Sequence, residues 1–214
     1  NPSINLSILG LELNSVQKTL KEKFRVEIPA DIKGKADLFM LIERKDSDTK
    51  PAQINGYFDI INAVVKLDRI NYPIEEVSGR IEFDSTGLKW GGLNLKYLGI
   101  PYSANGSLTN FAAPHIQLGL SSEELSLESN FTINGTLFEF TQLKGKYLNS
   151  EFSLNGRIKL LDPENLQADA QGELNLDLKD IRWPLNRFSS QLEQIKPSGT
   201  ARVKFNISGN MNDF

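Results

Sequence analysis

The chain has 214 residues, 39% of them hydrophobic, and its 27 acidic and 24 basic side chains leave a net charge of −3. That length buries the core of one domain or at most two, and interspersed charges without a basic run exclude a nucleic-acid surface. The absence of cysteine removes disulfides, thiolate nucleophiles and sulfur-bound metals, and no stretch approaches the ~20 apolar residues of a spanning helix.

Residues 1–30 are predicted to form a lead-in strand and a short helix. Asn1 to Gly10 lacks the basic start and apolar run of a secretion signal. Leu13, Val16 and Leu20 recur at helical spacing across Asn14 to Lys23, with Asn14 or Ser15 as cap.

Residues 31–182 alternate apolar and polar with period two, the mark of strands with one buried and one wet face. Ile81 and Phe83 stand between Arg80, Glu82 and Asp84, and Leu93 and Leu95 precede Tyr97. Leu118 and Leu120 follow, then Leu125, Leu127, Phe131 and Ile133, then Phe152, Leu154, Ile158 and Leu160, then Leu174 and Leu176. Turns are predicted at Asn71 to Pro73, Asp84 to Gly87, Gly99 to Pro101, Asn110 to His115, Ser121 to Glu124 and Asp162 to Asn165.

A glycine recurs roughly every 20 to 30 residues, about one hairpin per repeat: Gly34, Gly56, Gly79, Gly106, Gly135, Gly156, Gly172 and Gly199, with Gly209 after them. Four follow asparagine, a common hairpin signal. A turn at Asn155-Gly156 would pair Leu154 with Arg157 and Phe152 with Lys159, mixing apolar with charged side chains. A straight strand puts Phe152, Leu154, Gly156, Ile158 and Leu160 on one face, and the same parity is read at the other repeats, Gly135 included. Glycines on the apolar face weaken strands and mark bends, so a row of them lets the sheet curl along one line. The expected fold is a mainly β, long curled antiparallel sheet, a repeating β-groove with an apolar concave face and two short amphipathic helices.

The second helix is predicted over residues 183–197, where Leu185, Phe188, Leu192 and Ile195 form a stripe between Pro184 and Pro197. Residues 198–214 read as the start of a further β repeat, which makes the chain a piece of a longer protein.

From Gln53 to Leu160 the recurring unit, an apolar residue two before glycine and further apolar residues two and four after it, resembles the AsmA-like superfamily of diderm bacteria, which includes TamB. Gly106-Ser-Leu108-Thr-Asn-Phe111 running through Pro114 into Ile116-Gln-Leu118, and Pro197-Ser-Gly199 leading to Val203, Phe205 and Ile207, carry the same resemblance. It implies a periplasmic, non-enzymatic β-taco whose parent protein is anchored in the inner membrane. Its groove would carry phospholipid or another acyl-chain lipid between the membranes, or support outer-membrane biogenesis. An alternative is a β-scaffold that assists assembly of outer-membrane proteins through an open sheet edge.

Chemistry of other kinds has little to stand on. His115 is a lone histidine after Pro114, read as an exposed turn residue, and a metal or other cofactor is not expected. No nucleophile elbow, phosphate loop or zinc-protease pair occurs, so no catalytic residue is assigned. Asp169, Glu173 and Asp177 line up on the wet face, and the scattered tryptophans and tyrosines read as packing, with a sugar platform as the other reading.

Overall fold

A computed structural model describes residues 2–24, 30–44, 52–67, 71–162, 165–180 and 198–210. Among these residues the fold is mainly β, with twelve antiparallel strands and one short helix. The second predicted helix, 183–197, lies outside the described residues apart from its surroundings. Among the described residues no helix is long and apolar enough to cross a membrane.

The chain divides into two compact units, Asn1–Phe111 and Ala112–Phe214. The first holds β1 (Ser3–Glu12), α1 (Leu13–Phe24), β2 (Ala30–Glu43), β3 (Gln53–Leu67), β4 (Ile74–Asp84), β5 (Gly87–Tyr97) and β6 (Ile100–Thr109). The second holds β7 (His115–Ser121), β8 (Leu125–Asn134), β9 (Leu137–Tyr147), β10 (Ser150–Asp162), β11 (Asn165–Asp177) and β12 (Thr200–Asn210). Within each unit the strands pair in sequence order, each antiparallel to the last. Where the connections are short, as between β4, β5 and β6 and between β8, β9, β10 and β11, this meander is the direct outcome, since antiparallel neighbours need only a tight turn.

Among the described residues no strand packs closely on any element but its sheet neighbours and, for β1 and β2, α1. The described residues of each unit therefore form one sheet layer, with α1 at its edge in the first. Most of the buried apolar side chains are alanines, such as Ala36 at 0% and Ala63 at 1% exposed, joined by Val77 and Leu93, and no large side chain is fully buried among the described residues.

The helix has a defined job. β1 pairs with β2 only from Lys35 onward, leaving the first residues of β2 as a bare edge. Gln17 answers it: its amide nitrogen donates to the Ala30 carbonyl and its oxygen accepts the Ile32 N–H at 3.3 Å. The carboxamide reproduces the donor and acceptor of a strand's peptide group, which covers the edge.

Bulges interrupt the pairing in the first unit at Leu9–Gly10, at Asn62, at Glu76 and at Gly91–Gly92. The Gly10 N–H is held by the Asp37 carboxylate at 2.7 Å and the Asn62 N–H by the Ser78 hydroxyl at 3.0 Å. Bulges bend a strand and flip its side-chain parity. They do this where the apolar row narrows to Ala36, Gly79 and Ala104.

Two glycine assignments need correction. Asn134-Gly135 is a hairpin turn after all: β8 ends at Asn134, β9 begins at Leu137, and Gly135 has φ 58°. The glycine takes the first central position, so Asn134 faces Leu137 and Ile133 faces Phe138, which keeps apolar with apolar. Gly199 stands just before β12 with φ 103°, its carbonyl accepting the Leu178 N–H, and so is a lead-in residue. His115 opens β7 opposite Thr132 and is half-buried, where an exposed turn was expected, because its strand starts one residue earlier.

Two further hairpins carry a left-handed leucine. Leu98 (φ 52°) with Gly99 joins β5 to β6, and Leu148 (φ 53°) with Asn149 joins β9 to β10. Each follows a Lys-Tyr pair, at Lys96-Tyr97 and Lys146-Tyr147. A leucine held there costs about 1 kcal/mol, and the first of these turns falls one residue earlier than the predicted Gly99 to Pro101.

Candidate functional site

Antiparallel register collects the apolar side chains into rows that cross the strands. In the first unit Leu6, Met40, Gly56, Phe83, Leu88 and Leu108 form one row, and Ile8, Leu38, Phe58, Ile81, Trp90 and Gly106 the next. Leu93 faces Ala104 and Leu95 faces Tyr102 on the same face beyond the bulge.

The second unit repeats the plan. Leu120, Leu127, Gly145, Phe152, Leu174 and Val203 make one row. Leu118, Ser129, Leu143, Leu154, Gly172 and Phe205 make the second, and Ile116, Phe131, Phe140, Gly156, Ala170 and Ile207 the third. Ile133 and Ile158 both face Phe138, Leu125 faces Tyr147, and Leu176 faces Ala201. Leu160 faces Leu166 in the backbone register.

Leu93 is buried, and the other predicted lining residues whose side chains are described are half-buried. Side neighbours cover their flanks, and no described element covers their tips. The predicted residues thus fall into two sets, one in each unit.

The strand glycines do two different things. Gly56, Gly145 and Gly172 each sit opposite a phenylalanine whose ring lies over the glycine: a Cβ there would come within 2.5 Å of the ring of Phe83, Phe152 or Phe205. This is the covering of a strand glycine by a cross-strand aromatic. Gly34, Gly79 and Gly156 have φ of 127°, 136° and 152°, a region open to glycine alone, and press against Ala63, Leu93 and Ala170.

The opposite face is polar and carries cross-strand ion pairs. Asp59 and Arg80 meet through two hydrogen bonds at 2.7 and 2.8 Å. Glu128–Lys144 (2.8 Å), Asp169–Arg157 (2.9 Å) and Glu173–Arg202 (2.6 Å) join other strands. The Arg80 hydrogen bond holds the Asp59 carboxyl below its usual range against the opposing effect of desolvation, and Arg202 does the same for Glu173. Asp84 is lowered by the Thr86 hydroxyl, then by the Thr86 and Gly87 N–H groups of its turn.

On that polar face of the first unit lies a furrow of about 870 Å³. Its walls are two outward rows, one with Asn5, Leu41, Asn55 and Asp84 and the other with Ser7, Phe39, Tyr57, Glu82, Lys89 and Ser107. The backbone of the row between them is its floor. Phe39 stacks on Tyr57 at 4.8 Å, and Arg80 covers Tyr57 at 3.8 Å. The sequence analysis missed this feature; its signal is Leu38 to Ile42, apolar on both faces of β2.

The carboxylates with lowered pKa are Asp59 and Glu173, each paired with an arginine, Asp84 in its turn, and Asp180, buried where it accepts hydrogen bonds from the Ser150 hydroxyl and the Asn149 N–H; no group of three or more metal-ligating side chains gathers among the described residues. The arrangement is suited to binding. Comparison with protein-family models, with curated proteins and with solved structures finds no match.

Proposed function

We propose that the apolar face of each sheet unit is a contact surface for the acyl chains of phospholipid or a related lipid. On this reading the chain is a non-enzymatic segment of a longer, AsmA-like periplasmic conduit serving outer-membrane biogenesis. The observation that carries the reading is an apolar face with no second layer among the described residues. A sheet with one apolar face normally buries it against a helix or another sheet, yet rows of leucine, isoleucine and phenylalanine run across six strands and no described element packs on top of them.

The energetics suit a conduit. Burying a methylene is worth ~0.8 kcal/mol, so two chains of about sixteen carbons approach ~25 kcal/mol if moved bare through water. A continuous apolar surface, curled into a concave trough at the glycines and bulges, removes most of that barrier, and weak uniform contacts let the lipid pass on.

Native mass spectrometry of the purified folded chain, with lipid extraction, tests the proposal: bound phospholipid is expected, and photo-crosslinkers at Phe152 and Leu154 should yield lipid adducts. A folded chain free of lipid and detergent, with no lipid adducts at those sites, overturns it.

One observation favours a second reading. Among the described residues β1 pairs on one side only, and Ile4, Leu6 and Leu9 are exposed along it. A bare edge of this kind, with Glu12 its only charged residue, accepts a partner strand, which fits a scaffold for β-rich outer-membrane proteins. Protein adducts from a crosslinker at Leu6 or Val203, without lipid adducts on the apolar face, would favour it.

A further inference from the structure

The two left-handed leucines are the least economical residues in the fold. Asn-Gly satisfies a turn such as Leu98-Gly99 without strain, yet leucine stands there with its side chain 48% exposed, so neither the turn nor the core explains it. Leu148 repeats the arrangement at 38% exposed.

Around Leu98 the exposed apolar residues gather. Ile74 pairs with Tyr97, and Tyr97 with Ile100, so the turn before β4 and the turn between β5 and β6 meet at one end of these strands. Tyr72, at 57%, and Ile100, at 42%, are exposed there beside Leu98. Two aliphatic side chains with a tyrosine at a strand end form the amphipathic tip that settles at a membrane–water boundary. Lys96 at this end is paired with Glu76 at 3.1 Å and faces Glu75 in the register, so this lysine is already matched by carboxylates and the described tip residues offer apolar insertion.

We propose that this tip, with Leu98 at its point, inserts into the surface of a lipid bilayer. The inference rests on the lipid reading of the apolar face, since it makes the bilayer the place where lipid is exchanged. The apolar row of β5 and β6 begins at Tyr97 and Ile100, immediately behind the tip, so a lipid leaving the bilayer meets that face directly.

Flotation of the whole chain with phosphatidylcholine vesicles, at low and at high salt, is the test. The chain floats at both, and L98N, which installs the preferred Asn-Gly pair and so melts higher, binds about tenfold more weakly. Undiminished binding by L98N, or binding that high salt abolishes, overturns the proposal. Leu98→Trp gives a direct reading, because its added fluorescence is quenched by brominated acyl chains when the tip is inserted; an unquenched indole at 98 overturns it. Co-purified lipid reports on the face and flotation on the tip, so a floating chain that carries no lipid sinks only the reading of the face.

Discussion

At Gly172 even one added methyl group has nowhere to go: its Cβ would stand 2.5 Å from Phe205 and 2.6 Å from the Ser153 carbonyl. Gly172→Ala is therefore expected to destabilise by about 1–3 kcal/mol, measured as a shift in the denaturation midpoint. Gly91→Ala is the control, since no atom lies within 4 Å of the Cβ position and the backbone is not left-handed; it should be neutral or slightly stabilising. The placing of glycines on the apolar face was legible at Gly56, Gly156 and Gly172. Their partners were not, because opposition of Gly172 to Phe205 depends on a register set across the connection 178–199, which no local pattern fixes. Gly135 was misread because its glycine holds the first central position of the turn, where an Asn-Gly pair signals the second.

At the scale of single elements, α1 is an edge cover whose attachment is one carboxamide. Gln17→Ala should leave the Ala30 carbonyl and the Ile32 N–H without that partner and cost about 1 kcal/mol. Hydrogen exchange at Ile32 should quicken by about fivefold while exchange in β10 stays unchanged; equal protection at Ile32 in both proteins would show that the helix covers the edge without Gln17. The helix itself was legible from its spacing, whereas the reason for it was not, since Gln17 gains its role only from a strand thirteen residues away. Strand positions were legible from alternation, but bulges at Asn62 and Glu76 left no signal, because one inserted residue of ordinary type changes parity without changing composition.

For the whole molecule, acid should be a sensitive probe, because much of what orders the polar faces is ionic. Asp59, Asp84 and Glu173 have folded pKa values below their unfolded ones. Such groups add stability that is fully present above about pH 4–5 and is lost as pH falls through the depressed folded values. Thermal melting should hold steady near neutrality and decline below about pH 4, and Arg80→Gln with Arg202→Gln should flatten that decline. An unchanged slope would mean the pairs contribute nothing, the ordinary fate of exposed ion pairs. The one-layer construction also predicts that a mild nonionic detergent raises the melting temperature, since a ligand of the folded apolar face stabilises it by mass action. The sequence implied that face from alternation, yet alternation is shared with every sandwich and barrel, so whether a described element packs above the face is known only from the three-dimensional contacts.

The phenylalanine over each glycine has a consequence for how the chain finds its pairing. Alternation guards a strand against slipping by one residue, since that turns apolar side chains to the wet face. It offers no protection against slipping by two, which restores every face. A ring that fits only above a glycine supplies the missing check: two places along, Phe205 would meet the side chain of Ala170 or of Leu174 in place of the open backbone at Gly172. Leucine and isoleucine rows can slide past one another, while Gly56 with Phe83, Gly145 with Phe152 and Gly172 with Phe205 work as notches that set how far each strand travels.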